Sequence, residues 1–305
     1  MSTLDLGPFV PERIDEWAYW CKAREQIRRR REAGKPPPWH SDPVMATTRW
    51  CNCKRMNDKV SVWLMQNWYT PGSMNRRDAL IAALMARMIN RTDTLAYMNS
   101  GDPYARWDYD KFYKRMYELK NEGFVVFTNA YIINGASGGP KIDQVLGAID
   151  KAAKMMGNDR NASRFVDPDS LQITAGNLHV LPGVGSFISG QVVADLRWVI
   201  DTDRWADRMT WAPPGPGSSR GMKYLLGQVS AEGTVGRGKD MGEREFLKHL
   251  RLLVRIAERH NVVGPIFAER QLEAHDIQNT LCELSKYIRV SYGLGRPKNF
   301  YHAKE

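Results

Sequence analysis

The chain has 305 residues, with 44 Lys and Arg against 34 Asp and Glu, and a formal charge of +10. That length allows one large domain or two modest ones, either able to bury a core. An apolar fraction of 43%, without any run approaching a membrane span or a secretion signal, excludes a membrane protein and an exported one as expectations.

In chain order, Pro11 to Glu32 is predicted to be a helix with a strongly basic end, stopped by Gly34 and the Pro36-Pro37-Pro38 run. Trp50 to Trp63 is predicted as a second helix with a rich polar side. Asn75 to Asn90 carries the apolar spacing Leu80, Ile81, Leu84, Met85, Met88, Ile89 of an amphipathic helix. Asp108 to Asn121 is a shorter helix. Phe124 to Ile133 favours an extended segment by its Val, Phe, Tyr and Ile content. Lys141 to Met156 is helical, and Asn158 to Ser170 is a polar connection. Phe187 to Ile200 is helical again, Trp211 to Gly221 is a Pro/Gly loop, and Met222 to Leu226 begins a short helix. Glu243 to Arg259 and Asp276 to Val290 complete a mainly α fold with at most a minor sheet, ahead of a tail from Gly293. The expectation is one domain over 1–305, built of two helical lobes with a division near 156–171.

The stretch Leu181-Pro-Gly-Val-Gly-Ser186 is the most telling local signal. Two glycines open onto a helix start, whose free N–H groups suit a phosphate oxygen. This is the core of a helix-hairpin-helix, with Gly183, Gly185 and Ser186 as candidates for holding the DNA backbone without reading sequence. The positive surplus fits a polyanionic partner, and some of the ten tryptophans suit stacking on bases. Cys51-Asn-Cys53 is too tight for a metal knuckle, and nothing nearby completes four ligands. Reduced thiols in a cytoplasmic protein are expected, with no metal site assigned.

Several blocks resemble a known family. They are Glu25-x-Ile27, Arg31 to Trp39, Asp42-Pro43, Arg49-Trp50-Cys51-Asn52, Arg55, Asn57 to Val60 and Trp63-Leu64. Further on come Arg87-x-x-Asn90, Asn129 to Ile132, Leu181 to Gly185, Asp195-Leu196, Gly215 to Gly221 and Asp276 to Tyr287. In this order they are similar to the phage helical DNA-hypermodification domain of the alpha-glutamyl/putrescinyl-thymine pyrophosphorylases. These are amino-acid:DNA or polyamine:DNA transferases, with relatives linked to hydroxymethyluracil DNA kinases. The resemblance implies a fold like that of the helix-hairpin-helix DNA glycosylases. It implies a substrate in DNA, a thymine analogue whose 5-methyl carries pyrophosphate. It implies an amine, from a free amino acid or a polyamine, that displaces this group, and a setting in a phage-infected bacterium. The chain departs from the family pattern at Leu284-Ser285 and at Cys51 and Cys53.

Such chemistry needs an extruded base, a cationic cradle for the leaving group and a proton acceptor for the amine. Asn90 and Asn129 are candidates for the base edge, with helix capping or turn formation as the alternative. Trp39 and Tyr131 are candidates for stacking, with core packing as the alternative for Tyr131. Asn52 and Arg55 join them as substrate-binding candidates. The loop bearing Gly215, Gly217 and Ser218 offers backbone and hydroxyl groups to the anion, with Arg55, Arg87, Arg220 and Lys286 as its cations and a second DNA-backbone contact as the alternative role. Asp58, Asp195 and Glu283 are candidates to accept the amine's proton or hold its ammonium form, or else to pair with arginines. Magnesium is an open companion of pyrophosphate, although no carboxylate pair has persuasive spacing. No Gly-Lys-Ser/Thr phosphate loop occurs.

Two rivals stay open. Asp201 and Asp203, 18 and 20 residues beyond Gly183, stand where a glycosylase carries its aspartate, although the hairpin lacks the lysine of a bifunctional one. A DNA-binding module without chemistry, partnering a hydroxymethyluracil kinase, is the third reading. Cys282 as a covalent nucleophile competes with ordinary packing on an apolar helix face.

Overall fold

A computed structural model describes residues 6–69, 74–99, 107–128, 139–200, 205–234, 240–259, 272–296 and 299–301. Thirteen α-helices follow one another among these residues. They are α1 Pro11–Glu32, α2 Pro43–Thr47, α3 Lys59–Asn67, α4 Arg76–Ile89, α5 Thr92–Met98, α6 Tyr109–Asn121 and α7 Lys141–Met156. The remainder are α8 Asp159–Ala162, α9 Leu171–Leu178, α10 Ser186–Val199, α11 Pro216–Leu225, α12 Glu243–Arg259 and α13 Ala274–Ser291. The described residues contain no strand, only an isolated antiparallel bridge between Thr48 and Phe300. The mainly α expectation therefore holds for them.

The helix ends are set by local chemistry. Pro11 supplies a preset φ at the start of α1, and Arg29, Arg30 and Arg31 lie in its last turn, where cations favour the dipole. Asn75 caps α4 by accepting the Asp78 N–H, and Asp108 caps α6 by accepting that of Lys111. The predicted helix over Trp50 to Trp63 is replaced by an irregular segment, a 3-10 turn at Arg55–Asn57 and then α3. Its Asn and Asp residues bind backbone groups instead, as shown below, which competes with helix formation. The polar connection of 158–170 contains the short α8, which Asn158 caps by accepting the Asn161 N–H.

The chain divides into two compact units, one of residues Met1–Asp58 and Arg208–Glu305, the other of Lys59–Asp207. The stretch near 156–171 lies inside the second unit, where Met156, Ala162 and Val166 are buried.

In the first unit, α11 packs on α13 through Gly217 and Gly221, four apart on one helix face. A Cβ on Gly221 would fall on the Leu281 carbonyl oxygen, and one on Gly217 would fall on the Cys282 sulfur. Only glycine permits this approach. The Pro/Gly loop read from Trp211 to Gly221 is thereby corrected: the helix begins at Pro216, and Ser218, Ser219 and Gly221 are buried. Ser218 closes its start by accepting the Gly215 N–H at 2.9 Å, with Gln278 of α13 donating to the same hydroxyl at 3.2 Å.

In the second unit, α10 is buried along most of its circumference, packed by α4 and α9. This explains its nearly continuous apolar sequence. The helix α9, not delimited by the sequence, starts with Ser170 accepting the Ile173 N–H. Between α9 and α10 the chain makes a tight turn. Leu181 donates to the Leu178 carbonyl and Val184 to that of Leu181, with both side chains buried. Gly183 has φ +73, the left-handed region where a side chain is strained, and its missing Cβ would sit 3.2 Å from Met88 Cε.

Candidate functional site

The densest group of polar side chains in the first unit lies along α13 and the segment 50–58. Asp276, Asn279 and Glu283 share one face of α13, at spacings of three and four residues. Each holds a backbone group of the facing segment. Asp276 accepts the Arg55 N–H at 2.9 Å, Asn279 donates to the Asn52 carbonyl at 3.0 Å, and Glu283 accepts the Cys51 N–H at 3.3 Å. From α1, buried Arg24 donates to the carbonyls of Trp50 and Cys51, at 3.1 Å each. Asp58 folds back to accept the Asn52 N–H at 2.7 Å, and the Asn52 amide donates to the Asn57 carbonyl at 2.6 Å. An irregular segment is thus held rigid by side chains, which suits a site that must keep its geometry.

Cys51, exposed, is the meeting point of the charges. The Glu283 carboxylate, with Asp58, holds its thiol well above the usual range, while Lys286 pulls the other way. Lys286 also pairs with Glu283. Burial opposes the charge on Lys286, but the Glu283 carboxylate keeps its pKa above that of an ordinary lysine. Burial raises the Cys282 thiol, against the pull of Lys286, Arg220 and Arg289. Cys282 therefore stands as a neutral thiol near pH 7, a poor nucleophile. Asp58 is pushed up to about 6 by burial, which outweighs the Asn52 N–H, Arg55 and Arg24, while Glu283 pushes the same way. A carboxyl that titrates there can take up or release a proton at neutral pH.

Of the residues singled out from the sequence, Asp58, Arg220, Glu283 and Lys286 come together here, with Asn52 and the Arg55 backbone in the supporting segment. The Asn52 Oδ1 is buried without a protein partner. Gly215 caps α11, while Gly217 and Ser218 serve the junction with α13, so their first role is packing rather than offering loop backbone to an anion. Trp39 is buried, 2% exposed, donates its indole N–H to the Lys35 carbonyl, and packs against Tyr301 and the Arg31 guanidinium. It has no open ring face for a base.

Arg87 and Asp195 belong to the second unit and bind each other. The guanidinium donates two bonds, of 2.6 and 2.5 Å, to the carboxylate, and Tyr69 donates a third at 2.7 Å. Both are buried, so the pair ties α4 to α10 instead of serving an anion or an amine. Asn90 ends α4 in the left-handed conformation, φ 49, and its Oδ1 is buried without a protein partner. Gly183, Gly185 and Ser186 are exposed at the α9–α10 turn. Asn129, Tyr131, Asp201 and Asp203 lie outside the described residues. Among the described residues, no group of three or more His, Cys, Asp and Glu gathers as a metal site would require, and no helix is long and apolar enough to cross a membrane.

Sequence reasoning passed over Arg24, Arg289 and the anchoring work of Asp276 and Asn279. The signal available was three polar residues, Asp276, Asn279 and Glu283, at helical spacing on one face of the last described helix, where burial has to be compensated with hydrogen bonds.

The described residues are thus mainly helical, with a mixed cluster of carboxylates and cations in the first unit. Residues 11–294 match the family described as "5-hmdU DNA kinase, helical domain", and the chain belongs to it. A 5-hmdU DNA kinase of Bacillus phage SP10 is 23% identical over 282 residues, covering 84% of this chain and 41% of that protein. The chain thus spans less than half the length of this relative. No solved structure matches.

Proposed function

We propose that this helical protein acts on thymine-derived bases in phage DNA, replacing the pyrophosphate of 5-pyrophosphoryloxymethyl-deoxyuridine with an amine. The observation that carries the reading is the meeting, around exposed Cys51 and half-buried Cys282, of the Asp58 carboxyl, raised to about 6, with the cations Arg220 and Lys286. Substitution at the exocyclic carbon forms a C–N bond and breaks a C–O bond, whose electron pair leaves with pyrophosphate. The attacking amine must shed a proton, for which ionised Asp58 is the acceptor. The growing negative charge on the leaving oxygens falls to Arg220 and Lys286. Glu283 orients Lys286 and the segment that carries Asp58 rather than reacting itself.

On this reading the α9–α10 turn is a helix-hairpin-helix that grips the DNA backbone, within a fold like that of the DNA glycosylases. The amine comes from a free amino acid or a polyamine, in the cytoplasm of an infected bacterium. The family membership and the phage relative support the choice of DNA thymine chemistry. The test is incubation with DNA bearing the pyrophosphorylated base and a panel of amines, followed by mass spectrometry of the nucleosides. Release of pyrophosphate with a new amino-nucleoside is expected. No release and no new nucleoside across the panel rejects the reading.

A second reading has one observation behind it: the relative is named a DNA kinase and this chain spans 41% of its length. The helical domain would then present modified DNA to a phosphorylating partner. DNA binding without product in the same assay favours it.

A further inference from the structure

The helix α7 of the second unit keeps its charges on separate sides. Both of its carboxylates turn toward α6. Asp143 accepts the Tyr117 hydroxyl at 2.7 Å, while Asp150 accepts the Trp107 indole N–H at 3.3 Å and pairs with Lys154 at 2.6 Å. Ile142, Val145, Leu146, Ile149 and Ala153 are buried and form the core side. The remaining positions, Lys141, Gln144, Ala148, Lys151 and Met155, recur at spacings of three and four residues and so form one stripe. That stripe holds two lysines and no acid.

Among the described residues, neither lysine of the stripe meets a carboxylate. Lys151 is exposed, and Lys141 lies half-buried over the Phe127 ring, 4.6 Å from its centre. Lys154, on the neighbouring side, is already matched by Asp150. The α9–α10 turn rests on the middle of the stripe, because a Cβ on Gly183 would stand 3.5 Å from the Ala148 Cβ. Lys141 and Lys151 therefore flank the exposed Gly183, about 15 Å apart along the axis by the helical rise. Two separated cations with an exposed glycine turn between them match the repeated charges of a phosphate backbone, rather than one small anion.

We propose that the α7 stripe, through Lys141 and Lys151, extends the α9–α10 turn into one continuous DNA-backbone surface. That the partner is DNA rests on the reading given above, but the test uses neither amine nor modified base. Binding of the full chain to a short unmodified DNA duplex is followed by fluorescence anisotropy over a series of sodium chloride concentrations. Each phosphate contact then shows itself in the salt slope.

Lys141→Gln and Lys151→Gln should each make the slope of log K against log salt shallower by about 0.9, and the double variant by about twice that. Arginine at both positions should keep the wild-type slope, since the charges survive. Lys154→Gln removes the same charge from the same helix and should leave the slope unchanged. Thermal melts check the fold, and Lys151→Gln decides alone if Lys141→Gln does not fold. An unchanged slope in the double variant overturns the proposal, as does an equal change in Lys154→Gln, which would make the effect one of net charge. Tighter binding of polyglutamate than of the duplex also overturns it, making the stripe a seat for an acidic protein. Amine transfer with unchanged slopes rejects this surface and keeps the transfer reading, whereas shallower slopes without any transfer do the reverse.

Discussion

Arg87 and Arg220 sit on α4 and α11, each helix packed tightly against another, and they meet opposite circumstances. Arg87 is sealed, its fork matched by both oxygens of Asp195 and a tyrosine hydroxyl. Arg220 is half-exposed and shares its surroundings with Arg289, Lys286 and a thiol. The same residue type, equally prominent in the sequence, works as a sealed brace in one unit and stands half-exposed among other cations in the other. What separates them is the residue across the helix contact: an aspartate facing α4, a cysteine and further cations facing α11.

The comparison can be broken at its sealed end first. Asp195→Ala leaves the Arg87 charge buried without its carboxylate, and should destabilise the protein by about 3–5 kcal/mol in chemical denaturation. If the loss is below 1 kcal/mol, roughly the scale of a surface pair, the brace is not one. Arg220→Ala should spare the fold and instead lower single-turnover amine transfer by ~100-fold, roughly the scale of one oriented donor, with DNA affinity largely kept. A lost DNA affinity with an altered salt slope and an intact rate would make Arg220 a backbone contact.

Asp58 sharpens the contrast through pH. Its folded carboxyl holds a proton up to about 6, against 3.8 for an ordinary aspartate. The folded state therefore binds the proton more tightly than the unfolded chain. Stability falls as pH rises between those values, and the whole cost is present above them. Asp58→Asn is expected to raise stability at pH 7.5 by up to about 3 kcal/mol, with no gain below pH 3.8. The same change should erase the lower limb of the pH–rate profile, centred near 6 in the wild type. Greater stability with an unchanged rate would remove Asp58 from the chemistry.

The α9–α10 turn gives the smallest effects. Gly183→Ala places a Cβ at φ +73 and 3.2 Å from Met88, and should cost about 1–2 kcal/mol of stability and weaken binding to all DNA sequences alike. Gly185→Ala meets open space at an extended φ of −87, so a few tenths of a kcal/mol is expected in thermal melts. An equal loss in both variants would show that the left-handed turn is not what positions the hairpin.

The sequence by itself determined the helical framework. Strong apolar periodicity and caps placed α1, α4, α6, α7, α10 and α12 at or within a residue of their ends, because these signals are local to each helix. It also placed Asp58, Arg220, Glu283 and Lys286 among the candidates through their matched blocks. It misread 50–63 as a helix, because the hydrogen bonds that hold that segment irregular come from Arg24 and from α13, more than 200 residues away in the latter case. It misread Gly217 as part of a loop, because the need for glycine arises only when Cys282 arrives on another helix. Tertiary structure alone decided that Arg87 and Asp195 spend themselves on each other and that Arg289 joins Arg220. Ion pairing depends on which side chains packing brings within a few ångströms, a distance that sequence spacing does not carry.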